Sequence, residues 1–166
     1  MNKSIVTVQD VGARAIASVF ERFDLPVRTV GAGCPIPGTY WGAPEAGLRD
    51  QHLHIRPDTP VHSALHEGTH FVCMTPARRR TLDTDAGGDA LEECAVCFLS
   101  ILLAEYVVGY SKSTMFSDMD GWGYSFRLGS ARSWFVADAG DARAWLERYQ
   151  LITAEGMPTW RWRDTE

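Results

Sequence analysis

The chain has 166 residues, 45% of them hydrophobic and 22% charged, which suits one ordinary globular domain spanning 1–166. Its formal net charge of −5 argues against binding nucleic acid through phosphate contacts. The longest apolar run, Ala95–Ala104, is interrupted by Ser100 and falls short of the about 20 residues that span a bilayer. Neither a nucleic-acid nor a membrane partner is expected. Met1–Ala17 carries a lone Lys3 and no apolar secretory core, so the expected location is cytoplasmic. In that compartment Cys34, Cys73, Cys94 and Cys97 are thiols. Cys94 and Cys97 form a C-x-x-C without the second pair that a zinc ribbon needs, and they read as small buried hydrophobes.

Val8, Val11, Ala15, Ile16, Val19, Phe20 and Phe23 recur at helical spacing, which predicts an amphipathic helix over Thr7–Phe23. Pro26–Val30 is a short strand candidate, and Gly31–Gly47 is too rich in Gly and Pro for a long regular element. His52–Arg56 alternates, with Leu53 and Ile55 on one side and His52, His54 and Arg56 on the other. This predicts a half-buried edge strand. Thr39–Arg56 is expected to form a hairpin around Gly-Ala-Pro-Glu-Ala-Gly, with Thr39–Trp41 as its first strand.

Asp58-Thr59-Pro60 reads as a polar cap followed by a first-turn proline. The helix it starts runs to Met74 and is stopped by Pro76. Thr75–Gly88 reads as a polar loop in which Arg78–Arg80 are solvated, and Asp89–Val108 as a second long, buried helix. Short helices are expected near Ser130–Ala137 and Ala142–Gln150, and a strand over Thr159–Arg163.

The first long helix carries His66-Glu67-Gly68-Thr69-His70. Residues four apart share a helix face, so both imidazoles can meet one Zn²⁺ at about 2.0–2.1 Å. Glu67, beside the first histidine, is placed as a general base for a water acidified by the metal. Catalytic zinc usually takes a third protein ligand. Glu92 and Glu93 open the next helix and are the candidates, about 100° apart around its axis. Glu93 heads a small-residue stripe of Cys97, Ser100 and Ala104 that permits close helix packing.

With these motifs the chain resembles the gluzincin group of HExxH metallopeptidases, and more closely the minimal bacterial forms typified by the ImmA/IrrE family. That family has a Glu-x-x-Ala pattern followed by an aromatic and an apolar run, and Glu92-Glu93-Cys94-Ala95-Val96-Cys97-Phe98-Leu99 fits it. The resemblance covers about a third of the chain, Leu53–Leu103. It implies a zincin-like α+β domain: a short antiparallel or mixed sheet, the HExxH helix, and a buried helix supplying a glutamate ligand. It also implies one zinc per chain held by His66, His70 and Glu92, with Glu93 the alternative. Related families place Asn or Asp after that alanine, and Val96 stands here instead. A partner orienting a ligand histidine must therefore come from elsewhere, Asp85 and Asp89 being candidates.

The expected function is zinc-dependent hydrolysis of a peptide or protein substrate. The alternative is a regulatory or interaction module that keeps the metal without turnover. Two His and one carboxylate also suit Fe(II), Mn or Ni. His62 reads as a polar position near the helix start, and Gly121–Phe126 as a packed turn. Tyr106, Tyr110, Tyr124 and Arg132 are the candidates to stabilise an oxyanion.

Overall fold

Eight helices and a small three-stranded mixed sheet make up the described residues, 3–166, of the computed structural model. The predicted first helix is two, α1 (Val8–Val11) and α2 (Ala13–Glu21). Gly12 between them has φ +89°, a backbone that a side chain resists. Ile16, Val19 and Phe20 of α2 are buried, while Arg14 and Glu21 pair on its outer face.

The strands are β1 (Val27–Thr29), β2 (Gly47–Arg49) and β3 (His52–Ile55), in the order β1-β3-β2. β1 runs parallel and β2 antiparallel to β3. The strand expected at an edge is thus central, and His54 is buried with Leu53 and Ile55. The hairpin turns at Asp50-Gln51, both with positive φ, the geometry of a type I′ loop without its usual glycine. Thr39 only bridges Gly47, and Tyr40 and Trp41 lie outside any strand.

α3 (Val61–Cys73) runs through the centre, and every one of its residues except Glu67 is buried. Its start is set by backbone. The Val61 N–H donates to Val6 O at 3.0 Å, while Asp58 and Thr59 turn to Arg56 instead of capping the helix. A Cβ on Gly68 would lie 2.2 Å from the Phe20 ring. The first variable position of the motif is therefore held to glycine by the packing of α2, where overfilling would force a backbone shift.

Thr75–Gly88 contains α4 (Pro76–Arg80), with Pro76 at its first turn. Arg79 is buried and donates to Phe71 O and Met74 O, satisfying carbonyls at the end of α3. α5 (Ala90–Ala104) is capped by Asp89, which accepts from Glu92 N. It packs along α3, with Cys97, Ser100 and Ala104 buried.

α6 (Lys112–Trp122) was not foreseen. α7 (Ala131–Ala137) and α8 (Gly140–Arg148) match their expected places. The predicted C-terminal strand is irregular chain, bent at Trp160 (φ +63°) and tied to α3 where Arg163 N donates to Val72 O. One continuous core joins these elements. No helix among the described residues is long and apolar enough to cross a membrane.

Candidate metal centre

His66 and His70, one turn apart on α3, bring their Nε2 atoms to 3.1 Å. Glu93, in the first turn of α5, sets Oε1 2.9 Å from His66 Nε2 and Oε2 3.2 Å from His70 Nε2. Ligands on a tetrahedral ion at 2.0–2.1 Å stand about 3.3 Å from one another, and each of these three contacts, the two to Glu93 made by different oxygens, is within a few tenths of an ångström of that spacing. At this separation a proton on one of the two nitrogens makes an N–H···N hydrogen bond, and a cation would take that proton's place between them. Burial alone would raise the Glu93 carboxyl, but the hydrogen bonds and charges of the two histidines outweigh it and hold it well below the usual range.

Of the two candidate glutamates, it is the alternative, Glu93, that lies beside the histidines. Glu92 is buried and turned away from the histidines. It takes a two-pronged ion pair from Arg78, at 2.9 and 2.7 Å, and a further contact from Arg163 at 3.5 Å. A residue at the next helix position points about 100° elsewhere, and that rotation puts Glu93 beside His66 and His70. Of the three arginines expected to be solvated, Arg78 pairs with Glu92, Arg79 is buried, and only Arg80 is exposed.

Glu67 lies at one remove. One of its carboxylate oxygens and a ring nitrogen of each histidine fall within 4.8 Å of one another. Burial raises the Glu67 carboxyl above its ordinary value, offset in part by His66 and His70. An open cavity of about 580 Å³ lies against His66, Glu67 and Glu93, walled by Trp41–Glu45 on one side and Trp122–Tyr124 on the other. A smaller one, about 210 Å³, adjoins it on the His70 side over Thr84–Gly87, and the two share Trp41, His66, Glu67 and Glu93.

Tyr124, one of four oxyanion candidates in the sequence, is in this cavity, so the glycine-rich aromatic turn is a cleft wall as well as packing. Burial raises its phenol to about 12, which keeps the O–H at neutral pH. Tyr106 instead packs against Trp160, Tyr110 donates to Asp118, and Arg132 reaches Ser113.

His62 is fully buried, with Nδ1 3.3 Å from the Tyr124 hydroxyl and Nε2 without a partner. Burial pushes its pKa down to about 3, helped by the neighbouring His66; Tyr124 and the Trp122 ring are its other close neighbours. A histidine held neutral in the fold but charged when unfolded stabilises the fold above its unfolded pKa, and that stability drains away as pH falls from about 6.5 toward 3. Metal-free protein should lose about 2 kcal/mol between pH 6.5 and 4.5 on this account. A His62→Phe variant should show that much less acid loss in urea titrations, and an equal loss in both proteins would show that His62 titrates freely.

On the far side of the two rings, His66 Nδ1 faces Cys97 Sγ at 3.9 Å, and His70 Nδ1 is buried without a partner among the described residues. Neither Asp85 nor Asp89 fills that role. Asp85 accepts from Gly87 N, and Asp89 caps α5. All four cysteines are free, Cys97 buried and Cys94 half-buried.

The described residues thus hold two groups that could bind a metal ion, His66-Glu67-His70 and His66-Glu93-Cys97, in which the histidines and the cysteine are buried. No family model matches the chain, and no curated protein or solved structure matches it.

Proposed function

We propose that the chain is a zinc-dependent peptidase or amide hydrolase with a zincin-like centre, in which His66, His70 and Glu93 hold the metal. The observation that carries this is the convergence of three donors at 2.9–3.2 Å, with a fourth, non-ligating carboxylate beside them in an open cavity. A zinc ion bound there would supply Lewis acidity, drawing the pKa of a water toward about 7 and polarising a carbonyl.

The protein's own groups do the rest. Glu67 takes a proton from the attacking water as its oxygen bonds to the carbonyl carbon, and delivers that proton to the departing amine nitrogen as the C–N bond breaks. The negative charge gathering on the carbonyl oxygen needs a donor, and Tyr124 lines the same cavity. We assign His62 the Nδ1–H tautomer, because the opposite one would bury an unpaired N–H at Nε2. His62 then donates to the phenol oxygen and leaves the Tyr124 proton free to face substrate. The substrate is a peptide or protein chain.

Elemental analysis tests the centre: about one zinc per chain in the wild type and none in His66→Ala. Cleavage of a pool of unfolded polypeptides should stop with a chelator and return with zinc. Zinc without cleavage would leave a metal-holding regulatory module, and a wild type that takes up no zinc would end both readings.

A further inference from the structure

The larger cavity has a composition that the hydrolytic chemistry does not require. Three aromatic side chains line it, Trp41, Trp122 and Tyr124, together with three carboxylates, Glu45, Glu67 and Glu93. Among the described residues no lysine or arginine lines either this cavity or the smaller one. Two of the carboxylates have work at the centre, where Glu93 and Glu67 together balance a divalent ion. Glu45 is left over. Its Oε1 accepts from Trp122 Nε1 at 2.9 Å, which spans the two walls and fixes the carboxylate with Oε2 unused. It forms no ion pair among the described residues.

Aromatic faces beside a fixed carboxylate are suited to a cation on an apolar stem. The ring faces attract the charge, and the carboxylate pairs with it. A guanidinium answers both better than an ammonium, because it is planar, stacks on indole and forms two parallel hydrogen bonds. Its three methylenes can lie along the tryptophans while the head stays wet.

We propose that this cavity receives an arginine side chain of the substrate, between Trp41 and Trp122, with Glu45 as its counter-ion. The proposal names the substrate class of the centre above and rests on that reading for the polypeptide's course through the cleft. The arginine lies on the Tyr124 side of the metal, so the chain continues past His70 over Thr84–Gly87, where the narrower cavity suits small residues.

Capped heptapeptides of glycine and alanine, with arginine, citrulline or norleucine at the central position, test it on the zinc-loaded chain. Binding is read from quenching of tryptophan fluorescence and cleavage from mass spectrometry of the same samples. The arginine peptide should bind at least tenfold tighter than the citrulline peptide, which matches its shape but lacks charge. Glu45→Gln, which keeps the oxygen that accepts from Trp122, should remove most of that difference and leave citrulline binding unchanged. Trp41→Ala, at a residue 78% exposed whose loss spares the core, should weaken the arginine peptide about tenfold. Arginine preference without cleavage would support the pocket while removing the hydrolase reading. Cleavage of all three peptides alike, a preference that survives Glu45→Gln, or no binding of any peptide would overturn the pocket.

Discussion

A Glu93→Ala chain should purify without zinc yet unfold almost as the metal-free wild type does, while Glu92→Ala should keep its zinc and, compared in the metal-free state, lose about 3 kcal/mol of stability. The two residues are neighbours in sequence with the same side chain, so the contrast isolates where each points. Glu93 is half exposed and makes its ion-pair contacts with His66 and His70. In metal-free protein its removal takes away two solvent-screened contacts made by one half-exposed carboxylate, a change of at most about 1 kcal/mol. Glu92 is 6% exposed at its side chain and neutralises Arg78 and Arg163, the latter 9% exposed. Deleting one partner of such a group leaves buried positive charge behind, at a cost of about 3–5 kcal/mol when burial is complete. The partly exposed Arg78 puts the estimate at the lower end. Melting curves in chelator would register the loss as about 6–12 °C for a chain of this length. Zinc lost from the Glu92 variant and kept by the Glu93 variant would refute the assignment.

Glu67→Gln should retain about one zinc per chain and lower turnover about 10²–10⁴-fold. Glutamine has nearly the same shape and can still hydrogen-bond a water, but it cannot accept a proton. Glu67 reaches the centre without being one of the three closely spaced donors, so metal binding should not follow its charge. If zinc falls together with activity, Glu67 is a ligand. If activity survives with zinc intact, another group moves the proton.

Measured side by side, these variants separate the two glutamate roles that the motif alone leaves entangled, and the reason lies in how helices project side chains. The motif's spacing was enough to set His66 and His70 on one face, because any α-helix stacks residues four apart. The fate of Glu92 and Glu93 was not legible, because both sit in the first turn of α5 and only the roll of that helix chooses between them. Arg78 on α4 and Arg163 in the C-terminal segment set that roll by drawing Glu92 to themselves.

Other elements divide in the same way. α3, α5, α7 and α8 could be read from apolar spacing and from caps and stops such as Asp89 and Pro76. α6 has the sequence KSTMFSDMDGW, whose few apolar residues make no stripe, and it is helical because Ser111 caps it and Met115, Phe116 and Met119 reach the core. β3 alternates as an edge strand would, but β1 and β2 flank it on both sides, β1 through pairings 26 residues away in sequence and β2 through the adjoining hairpin. Trp41, Glu45, Trp122 and Tyr124 carry no shared motif, and they line one cavity only because the β2 approach and the end of α6 close on the same stretch of α3.

By itself, then, the sequence determined the features that depend on residues within a turn or two of one another: the helices with strong periodicity and the facing histidines. Those are local because backbone geometry repeats every few residues. The tertiary structure alone decided which carboxylate meets the histidines, which strand is central, and which aromatic residues wall the cleft. Each of those depends on contacts between segments far apart in the chain, and such contacts are selected by burial and charge pairing across the whole core.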